Sequence, residues 1–580
     1  MRKASRRPHR LSTSNAGRSK ALSSAPIITT NSSGGLTVKA YAGDGAVLLA
    51  FDLDQTVTQG LAGFAIRRTP PSGPAAYLLN RLNFTTTVTA GTNPQDRVWT
   101  PSNVAPFQKF RWVDFPGEVN PGVYQYDITA MYFGQGTQLK AGPVATVSAD
   151  LRPREFGAFE FGFTRGYMSS QAYATIFKNA PFRPPTKSID YNTQPYEKQY
   201  EWLGYHARQM VFNFLDECVA DPSLTVDLFA YDLDEPDFVR GLQQLKGRLR
   251  AYLDDAPLHT QPGALEIQAQ QLLLQSAGSA NVKTGHFQRF AHCKVMIQKK
   301  NGKPVKVLTG SANFSVRGLY VQANNVLVFD DEQTAGLYEM AFEQAFNDAA
   351  NFATSAIAEG WHDVQGAGLP KFSVCFSPHK TATVSLQKVA DAIQNAGSSV
   401  LFAVMELSGG GPVMDDLKAL GNQPKIFGYG VTQTLTGMNL YKPGDPNALI
   451  VPFSFLQGKI PPPFQAETSG GMGQVIHDKF VVVDFNGPDP MVFTGSSNLS
   501  SGGEEANGDN LLAIADPVVA IAFGVEAIRL VDHFHFRASM KSASTTNPLV
   551  LQSNQPGAKW WEPYYDQNDI KCRERVLFSH

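Results

Sequence analysis

Cysteine is scarce in this sequence. The 580 residues include 4 cysteines, and no two of them have the C-x2-C spacing of a zinc or redox site. A disulfide framework is therefore not expected, and the four are predicted to be separate reduced thiols. Cys293 lies between two polar residues of a predicted strand and is expected to face the core rather than act as a nucleophile.

Neither a surplus of charge nor a long hydrophobic run is present. The 50 Lys and Arg residues are balanced by 51 Asp and Glu residues, so no overall basic field exists that would attract nucleic acid, although a local basic patch stays open. No run of 18 apolar residues occurs, and no membrane span is predicted.

Residues 1–25 contain basic residues but no acidic residue. They also lack the apolar region of a secretory signal, which favours a cytoplasmic location. We expect a disordered basic tail. The alternative is contact with a polyanion or with an anionic lipid surface, which would make the protein a peripheral membrane protein.

The length of 580 residues predicts three or four units. In residues 26–152, short alternating segments are separated by Gly, Pro, Asn and Asp, a pattern typical of an antiparallel β-sandwich. The Pro-Gly-x-Tyr-x-Tyr segment at 121–126 loosely resembles fibronectin type III or immunoglobulin-like modules. Trp99 and Trp112 are expected to be core residues of this unit.

From about Phe156 onward, helical and strand patterns alternate, which predicts a layered α/β architecture. The clearest predicted elements are helices at Glu197–Ala220 and Ser385–Ala396 and strands at Leu224–Ala230 and Ser399–Val404. We place two units here, at 153–365 and 366–580.

These two units contain an internal repeat. Residues 292–329 and 477–514 align without a gap, and 13 of the 38 positions are identical. A repeat that keeps polar residues in register over this length is not expected by chance. The matched polar residues are His292 with His477, Lys294 with Lys479, Ser311 with Ser496, Asn313 with Asn498, and Asn325 with Asn510.

The repeated motifs are H-x-K and, 18 residues after its histidine, G-S-x-N. They resemble the signature of the phospholipase D superfamily, which has H-x-K-x4-D and G-S-x-N once in each half. The resemblance covers residues of about 155–580. It implies two pseudo-twofold-related α/β/α sandwich halves after the small all-β sandwich, and phosphodiester chemistry through a covalent phosphohistidine, without a metal ion or other cofactor.

The residue types suit this chemistry. Because residues i and i+2 of a strand share a face, each motif would direct one imidazole and one ammonium group into the same space. Two copies would neutralise the non-bridging oxygens of one phosphodiester in its transition state. One histidine would attack phosphorus while the other protonates the departing oxygen. Four further side chains are expected to donate to the phosphate: Ser311, Asn313, Ser496 and Asn498.

Two departures from the family pattern distinguish the halves. Lys299 stands where the family has the motif aspartate, whereas the second half retains Asp484, and both are expected to be structural. In the family, a downstream acid tends to reach across to the opposite histidine. By that pattern Asp509 would contact His292 and stabilise it as an imidazolium, while Asn324 would contact His477. This asymmetry favours His292 as nucleophile and His477 as acid–base.

Other stretches allow two interpretations. Ala256–Phe290 and Tyr429–Gly473 are rich in Pro, Gly and Gln and are predicted to be long irregular insertions, either active-site walls or variable loops. The aromatic segment from Trp560 to Tyr565 either lines the pocket mouth or caps the core. His533 and His535 are interpreted as structural rather than as a metal pair.

Three functional hypotheses follow. Near-neutral charge and the aromatic residues of Phe427–Phe464 favour an amphipathic substrate, so the first is a phosphodiesterase that hydrolyses a phospholipid or transfers its headgroup. The second is a nuclease of the same superfamily, which would need a basic groove. The third is an inactive anion-binding or scaffold module, for which Lys299 and Asn324 are the only arguments. Two motifs in one chain mean that a monomer suffices for the site.

Overall fold

The computed structural model describes residues 25–580 except 93–97, 117–120, 136–137, 155, 187, 424, 435–436, 443–444, 453–463, 465–474 and 555–558. The predicted basic tail, apart from its last residue, and much of the predicted insertion at Tyr429–Gly473 lie outside the described residues. Among those described, none of the helices combines the length and the apolar character needed to cross a bilayer.

Residues 26–152 contribute antiparallel strands. Two four-stranded sheets, in the orders β1-β2-β3-β8 and β10-β9-β4-β5, share one apolar core, and β6 pairs with β7 beside them. The strands are β1 Ile28–Ser33, β2 Leu36–Ala42, β3 Val47–Leu53, β4 Leu61–Thr69, β5 Ala76–Tyr77, β6 Leu79–Asn80, β7 Thr100–Pro101, β8 Arg111–Asp114, β9 Val123–Phe133 and β10 Leu139–Asp150. Alternate residues of β9 from Tyr124 to Ala130 are buried, because successive side chains of a strand point to opposite faces.

The last residues of the chain complete this core. Trp560 and Tyr564 pack among the sandwich residues, and the indole Nε1 of Trp560 donates to the Leu61 carbonyl at 2.8 Å. Helix α12, which follows at Ile570–Ser579, receives a hydrogen bond from the Tyr41 hydroxyl at the Phe578 carbonyl, 2.7 Å. Of the two interpretations of the Trp560–Tyr565 segment, the structure supports capping of a core.

A seven-stranded sheet follows, in the order β11-β17-β16-β15-β12-β13-β14. Its strands are β11 Phe159–Phe163, β12 Leu224–Ala230, β13 Leu249–Asp254, β14 Val282–Gly285, β15 Val295–Lys300, β16 Lys303–Gly310 and β17 Asn325–Phe329. The helices of this region are α1 Ser170–Phe177, α2 Glu197–Ala220, α3 Pro236–Leu245, α4 Pro257–Thr260, α5 Leu265–Ala277, α6 Val316–Tyr320 and α7 Glu332–Asp348.

A nine-stranded sheet comes last, in the order β18-β19-β26-β25-β24-β20-β21-β22-β23. Its strands are β18 His362–Val364, β19 Lys371–Ser377, β20 Ser399–Val404, β21 Phe427–Thr434, β22 Gly437–Lys442, β23 Asp445–Pro452, β24 Phe480–Val483, β25 Met491–Gly495 and β26 Asp509–Ala515. Its helices are α8 Thr383–Gln394, α9 Pro412–Ala419, α10 Ser501–Ala506 and α11 Pro517–Ser542. The order β19-β26-β25-β24-β20-β21 repeats β11-β17-β16-β15-β12-β13 of the preceding sheet, strand for strand along the chain.

The protein is thus a mixed α/β protein with several sheets. Helix Glu197–Ala220 and the strands Leu224–Ala230 and Ser399–Val404 have the predicted bounds. The prediction of an irregular insertion is wrong for the described part of Tyr429–Gly473, which contains β22, β23 and most of β21. It is also wrong for Ala256–Phe290, which contains two helices and strand β14. Its α5 buries a stripe at Leu265, Ala269, Leu273 and Ala277, and the glutamines between them had suggested a loop.

The position of Trp560 predicts a stability effect. Its side chain is 7% exposed within the sandwich core, so Trp560→Ala should lower the free energy of unfolding by about 3–5 kcal/mol. The matched control is Trp99→Ala. The prediction that Trp99 is a core residue is wrong, because Trp99 is 41% exposed, and its loss should therefore cost about 1 kcal/mol or less. Urea titration followed by circular dichroism measures both. Equal losses would contradict the capping role of Trp560.

Candidate active site

Both H-x-K motifs lie immediately before a strand, not within one as the sequence suggested. His292 and Lys294 precede β15, and His477 and Lys479 precede β24. The reason is that each approach segment bonds to the other α/β unit instead of to its own sheet. Phe290 forms a parallel bridge with Asn507 of the second unit. Reciprocally, the segment leading to the second motif bridges to the first unit through Ile476 and Ala323.

The two histidines are held by crossed contacts. His292 Nδ1 lies 2.8 Å from Asp509 Oδ1, and His477 Nδ1 lies 2.9 Å from Asn324 Oδ1. Both contacts join one α/β unit to the other, and both were predicted from the position of Asp509 and Asn324. Because each Nδ1 is engaged by an oxygen acceptor, each ring keeps its Nε2 for other chemistry.

The crossing extends to a second layer of side chains. Thr309 Oγ1 donates to Asn510 Oδ1 at 3.1 Å, and its repeat mate Thr494 approaches Asn325 Oδ1 at 3.4 Å. Asn325 Nδ2 also donates to Asp478 Oδ1 at 2.9 Å, while Asn510 Nδ2 approaches the thiol of Cys293 at 3.8 Å. Exchanging each residue for its repeat mate converts one contact into the other.

The charge on His292 differs from the expectation. Burial lowers the pKa of His292 to about 4, and Lys294 and Lys479 add to this effect although Asp509 opposes it. Burial likewise lowers the pKa of His477 well below its ordinary value, helped by the same two lysines. His292 is therefore a neutral imidazole at pH 7 rather than the expected imidazolium, because desolvation and two nearby ammonium groups outweigh one carboxylate.

The two lysines share this environment. Burial lowers the pKa of Lys294 to about 8, with Asp509 and Asp232 in opposition, and it lowers the pKa of Lys479 well below its ordinary value. Lys479 Nζ donates to the carbonyl oxygen of His477 at 2.8 Å, and Lys294 donates to that of His292. Positive groups that destabilise one another in a buried site are relieved by a bound anion, and phosphate is an anion of this kind.

The G-S-x-N turns bring two strands into close contact. Gly310 has φ +138°, and a Cβ on it would lie 2.4 Å from the Asn325 carbonyl oxygen, so a side chain has no room there. The serine hydroxyls differ from the expectation that they donate to phosphate. Ser311 Oγ donates to Asn324 Oδ1 at 2.9 Å, and Ser496 Oγ accepts the backbone N–H of Asn510, the residue after Asp509, at 3.0 Å. The serines therefore position the residues that hold the histidines.

The two motif asparagines differ in their partners. Asn313 Nδ2 donates to Asp232 Oδ2 at 2.7 Å, and its Oδ1 is buried without a hydrogen-bond partner among the described residues. The Oδ1 of Asn498 is equally buried and unpartnered within the described part of the chain. Buried amide atoms without partners are costly, so these oxygens are available to a donor on a bound molecule or water.

Lys299 and Asp484 make the contacts of structural residues. Lys299 Nζ forms ion pairs with Asp227 at 2.7 Å and Glu339 at 3.3 Å. The Asp484 carboxylate accepts backbone N–H bonds from residues 397, 398 and 399 at 2.7–2.9 Å, which fixes the start of β20. His533 accepts a hydrogen bond from Arg537 Nε at 2.8 Å within α11, which agrees with a structural assignment.

Four polar or aromatic residues near the first motif were not predicted from the sequence. Tyr231 and Asp232 follow the end of β12, Asp254 ends β13, and His259 belongs to α4. The Tyr231 ring lies between two imidazoles, with centroids 4.5 Å from His259 and 4.7 Å from His292. The available signal was the position of acids at the carboxyl ends of adjacent parallel strands, where α/β proteins bind ligands.

Comparisons with known proteins give similarity to solved structures alone. No family model matches the chain, and none of the curated proteins matches it. The chain is similar to Nuc of Salmonella typhimurium, described as a phospholipase D family member, with 22% identity, 24% of this chain and 87% of that chain covered, and a TM-score of 0.20. It is also similar to the phosphatidylserine synthase of Haemophilus influenzae Rd KW20, with 11% identity, 64% of this chain and 93% of that chain covered, and a TM-score of 0.40. A third similar structure is the yeast tyrosyl-DNA phosphodiesterase, crystallised as the H432N_Glu mutant, with 10% identity, 52% of this chain and 85% of that chain covered, and a TM-score of 0.30.

The crossed contacts predict opposite effects of two reciprocal substitutions. Asn324→Asp places a carboxylate beside His477 and should raise the pKa of that ring, since an anion favours the protonated form. Asp509→Asn removes the carboxylate beside His292 and should lower the pKa of that ring further. Histidine ring NMR titrations of the wild type and both variants measure these changes. A change on the histidine of the same half would contradict the crossed pairing.

Proposed function

We propose that this protein is a phosphodiesterase of phospholipase D type. In this proposal residues 153–365 and 366–580 are pseudo-twofold-related halves that build one active site, after a β-sandwich at 26–152. The observation that carries the proposal is the crossed pairing of His292 with Asp509 and of His477 with Asn324, beside two buried lysines. Such pairing would bring both imidazoles and both ammonium groups to one phosphorus atom.

The first chemical step uses His292 as nucleophile. Asp509 accepts a hydrogen bond from the Nδ1–H of His292, which fixes the tautomer whose Nε2 lone pair can attack phosphorus. The low pKa of His292 supports this role, since the ring is neutral before the reaction. As the P–N bond forms, the bond from phosphorus to the leaving oxygen breaks, and Asp509 stabilises the positive charge that develops on the ring.

His477 supplies and recovers the proton. It protonates the leaving alcohol in the first step, then takes a proton from the water or alcohol that attacks the phosphohistidine, and the P–N bond breaks. Burial and the two lysines lower the pKa of His477. The negative charge of a bound phosphodiester raises this pKa, because an anion favours the protonated ring. Substrate binding therefore prepares the general acid.

Lys294 and Lys479 neutralise the non-bridging oxygens in this mechanism. Their ammonium groups, together with the imidazolium of His477, supply the positive charge that a metal ion supplies in other phosphoryl transfers. The proposed reaction therefore includes no metal ion, and its rate should be unchanged by a chelator.

We propose a phospholipid as the substrate. Acidic side chains lie next to the first motif: Asp232 raises the pKa of Lys294, and Asp254 Oδ1 accepts the backbone N–H of Ala291 at 2.6 Å. Acidic groups at this place oppose a polyanionic strand, which requires several cationic contacts along its backbone. They are compatible with a single phosphodiester that has one charge.

The two histidines give distinct kinetic predictions. His477→Asn should lower kcat for a phosphodiester by about 10²–10⁴-fold, because it removes general acid–base catalysis. For a substrate with a good leaving group, such as bis(4-nitrophenyl) phosphate, the leaving oxygen needs no proton. The rate of the first step, measured as the burst of nitrophenol, should therefore fall less for this substrate, while hydrolysis of the phosphohistidine stays slow. His292→Asn should abolish turnover of both substrates. The opposite pattern, with the leaving group rescuing His292→Asn, would exchange the two roles.

Substrate class is tested by parallel assays in excess EDTA. We expect release of a headgroup alcohol from phospholipid vesicles, with single-stranded and duplex DNA and RNA left intact. The Lys294→Met/Lys479→Met double variant serves as the inactive control, because methionine keeps the buried length without the charge. Nucleic-acid cleavage with inert lipid would establish a nuclease instead. Inactivity on every phosphodiester would leave an anion-binding module.

A further inference from the structure

A chain of hydrogen bonds leads away from the first motif asparagine. Asn313 Nδ2 donates to Asp232 Oδ2 at 2.7 Å, and Asp232 Oδ1 lies 2.9 Å from His259 Nε2. His259 Nδ1 lies 2.7 Å from Asp254 Oδ2. The residues come from four separate places in the sequence, and the adjacent parallel strands β12 and β13 bring two of them together.

The far end of this chain returns to the first H-x-K motif. Asp254 Oδ1 accepts the backbone N–H of Ala291 at 2.6 Å, and Ala291 directly precedes His292. The Tyr231 ring fills the space between His259 and His292. One side-chain network therefore joins the amide of Asn313 to the backbone that presents His292.

His259 is a cation in this network. Both ring nitrogens face carboxylate oxygens, which only accept hydrogen bonds, so both nitrogens carry protons. The two aspartates outweigh the effect of burial and raise the pKa of His259 to about 10. Glu266 of α5 also acts on it, and Asp255 lines the same cavity. The imidazolium keeps Asp232 ionised beside a site for an anion, and Asp232 in turn raises the pKa of Lys294.

The described residues of the second α/β unit show no such arrangement. By its place after β20, the counterpart of Asp232 is Glu406, which is exposed. No carboxylate hydrogen-bonds Asn498 among the described residues. The network therefore serves one side of the site, the side that holds His292.

We propose that Asp232 and His259 are positioning residues of the first half-site, and that the Asp254–His259–Asp232 chain holds the Asn313 amide and the approach to His292 in one fixed arrangement. This proposal rests on the proposed phosphodiesterase function, because a fixed network favours the reaction by aligning the nucleophile His292 with Asn313, a residue expected to contact the phosphate. Asp232 has a second effect, since its charge keeps Lys294 protonated.

Kinetics of Asp232→Asn and His259→Asn test the proposal on bis(4-nitrophenyl) phosphate. Misplacement of groups by a fraction of an ångström to 1 Å lowers rates strongly, so we expect kcat to fall by about 10²-fold in each variant. In Asp232→Asn the basic limb of the pH profile should also move to lower pH, because Lys294 loses the carboxylate that holds its proton. Glu406→Gln, the matched control, should retain the kcat and pH profile of the wild type.

A readout independent of turnover separates this proposal from the function on which it rests. In histidine ring NMR, His259 should titrate at a pKa of about 10 in the wild type and lower in Asp232→Asn. An ordinary pKa for His259 in the folded wild type would overturn the network. The network would also be overturned if the wild type is active and the Asp232→Asn and His259→Asn variants keep its kcat and the basic limb of its pH profile. A wild type that hydrolyses no phosphodiester, with His259 still protonated, would refute only the proposed function.

Discussion

Each imidazole of the candidate site depends on a side chain from the other α/β unit. Asp509 holds His292 and Asn324 holds His477, so neither unit has a complete set of contacts by itself. The bridges at Phe290 and Ile476 carry the backbone of each motif across the same boundary. This mutual dependence explains why the motif segments leave their own sheets, and it makes the relative position of the two units a condition for any chemistry.

Burial of positive groups is the energetic cost of this arrangement. Four groups that are cationic when protonated lie in a desolvated space, and their pKa values fall as a result. Asp509 and Asp232 offset part of the cost, and in our proposal a phosphodiester offsets the rest during the reaction. The carboxylate beside one histidine and the amide beside the other leave the two rings chemically different, which suits a nucleophile and a proton donor.

Much of this could be predicted from the sequence, because the repeat preserves both the identity and the spacing of its polar residues. The positions of Asp509 and Asn324 in the family pattern that the motifs resemble predicted the crossed partners of His292 and His477. The neutral state of His292 could not be predicted, since it depends first on how deeply the ring is buried and then on how close the two lysines lie to it. The roles of Asp232 and His259 could not be predicted either, because both residues lie outside the repeat and come together only where the parallel strands β12 and β13 end side by side.

Trapping of the covalent intermediate tests the central claim most directly. The His477→Asn variant is mixed with bis(4-nitrophenyl) phosphate, quenched under alkaline conditions that preserve phosphohistidine, and digested for mass spectrometry. The account predicts a nitrophenyl phosphate adduct on His292, because the nucleophile is intact while the base needed for its hydrolysis is missing. Release of nitrophenol without an adduct on any histidine, or with an adduct on another residue, would contradict it.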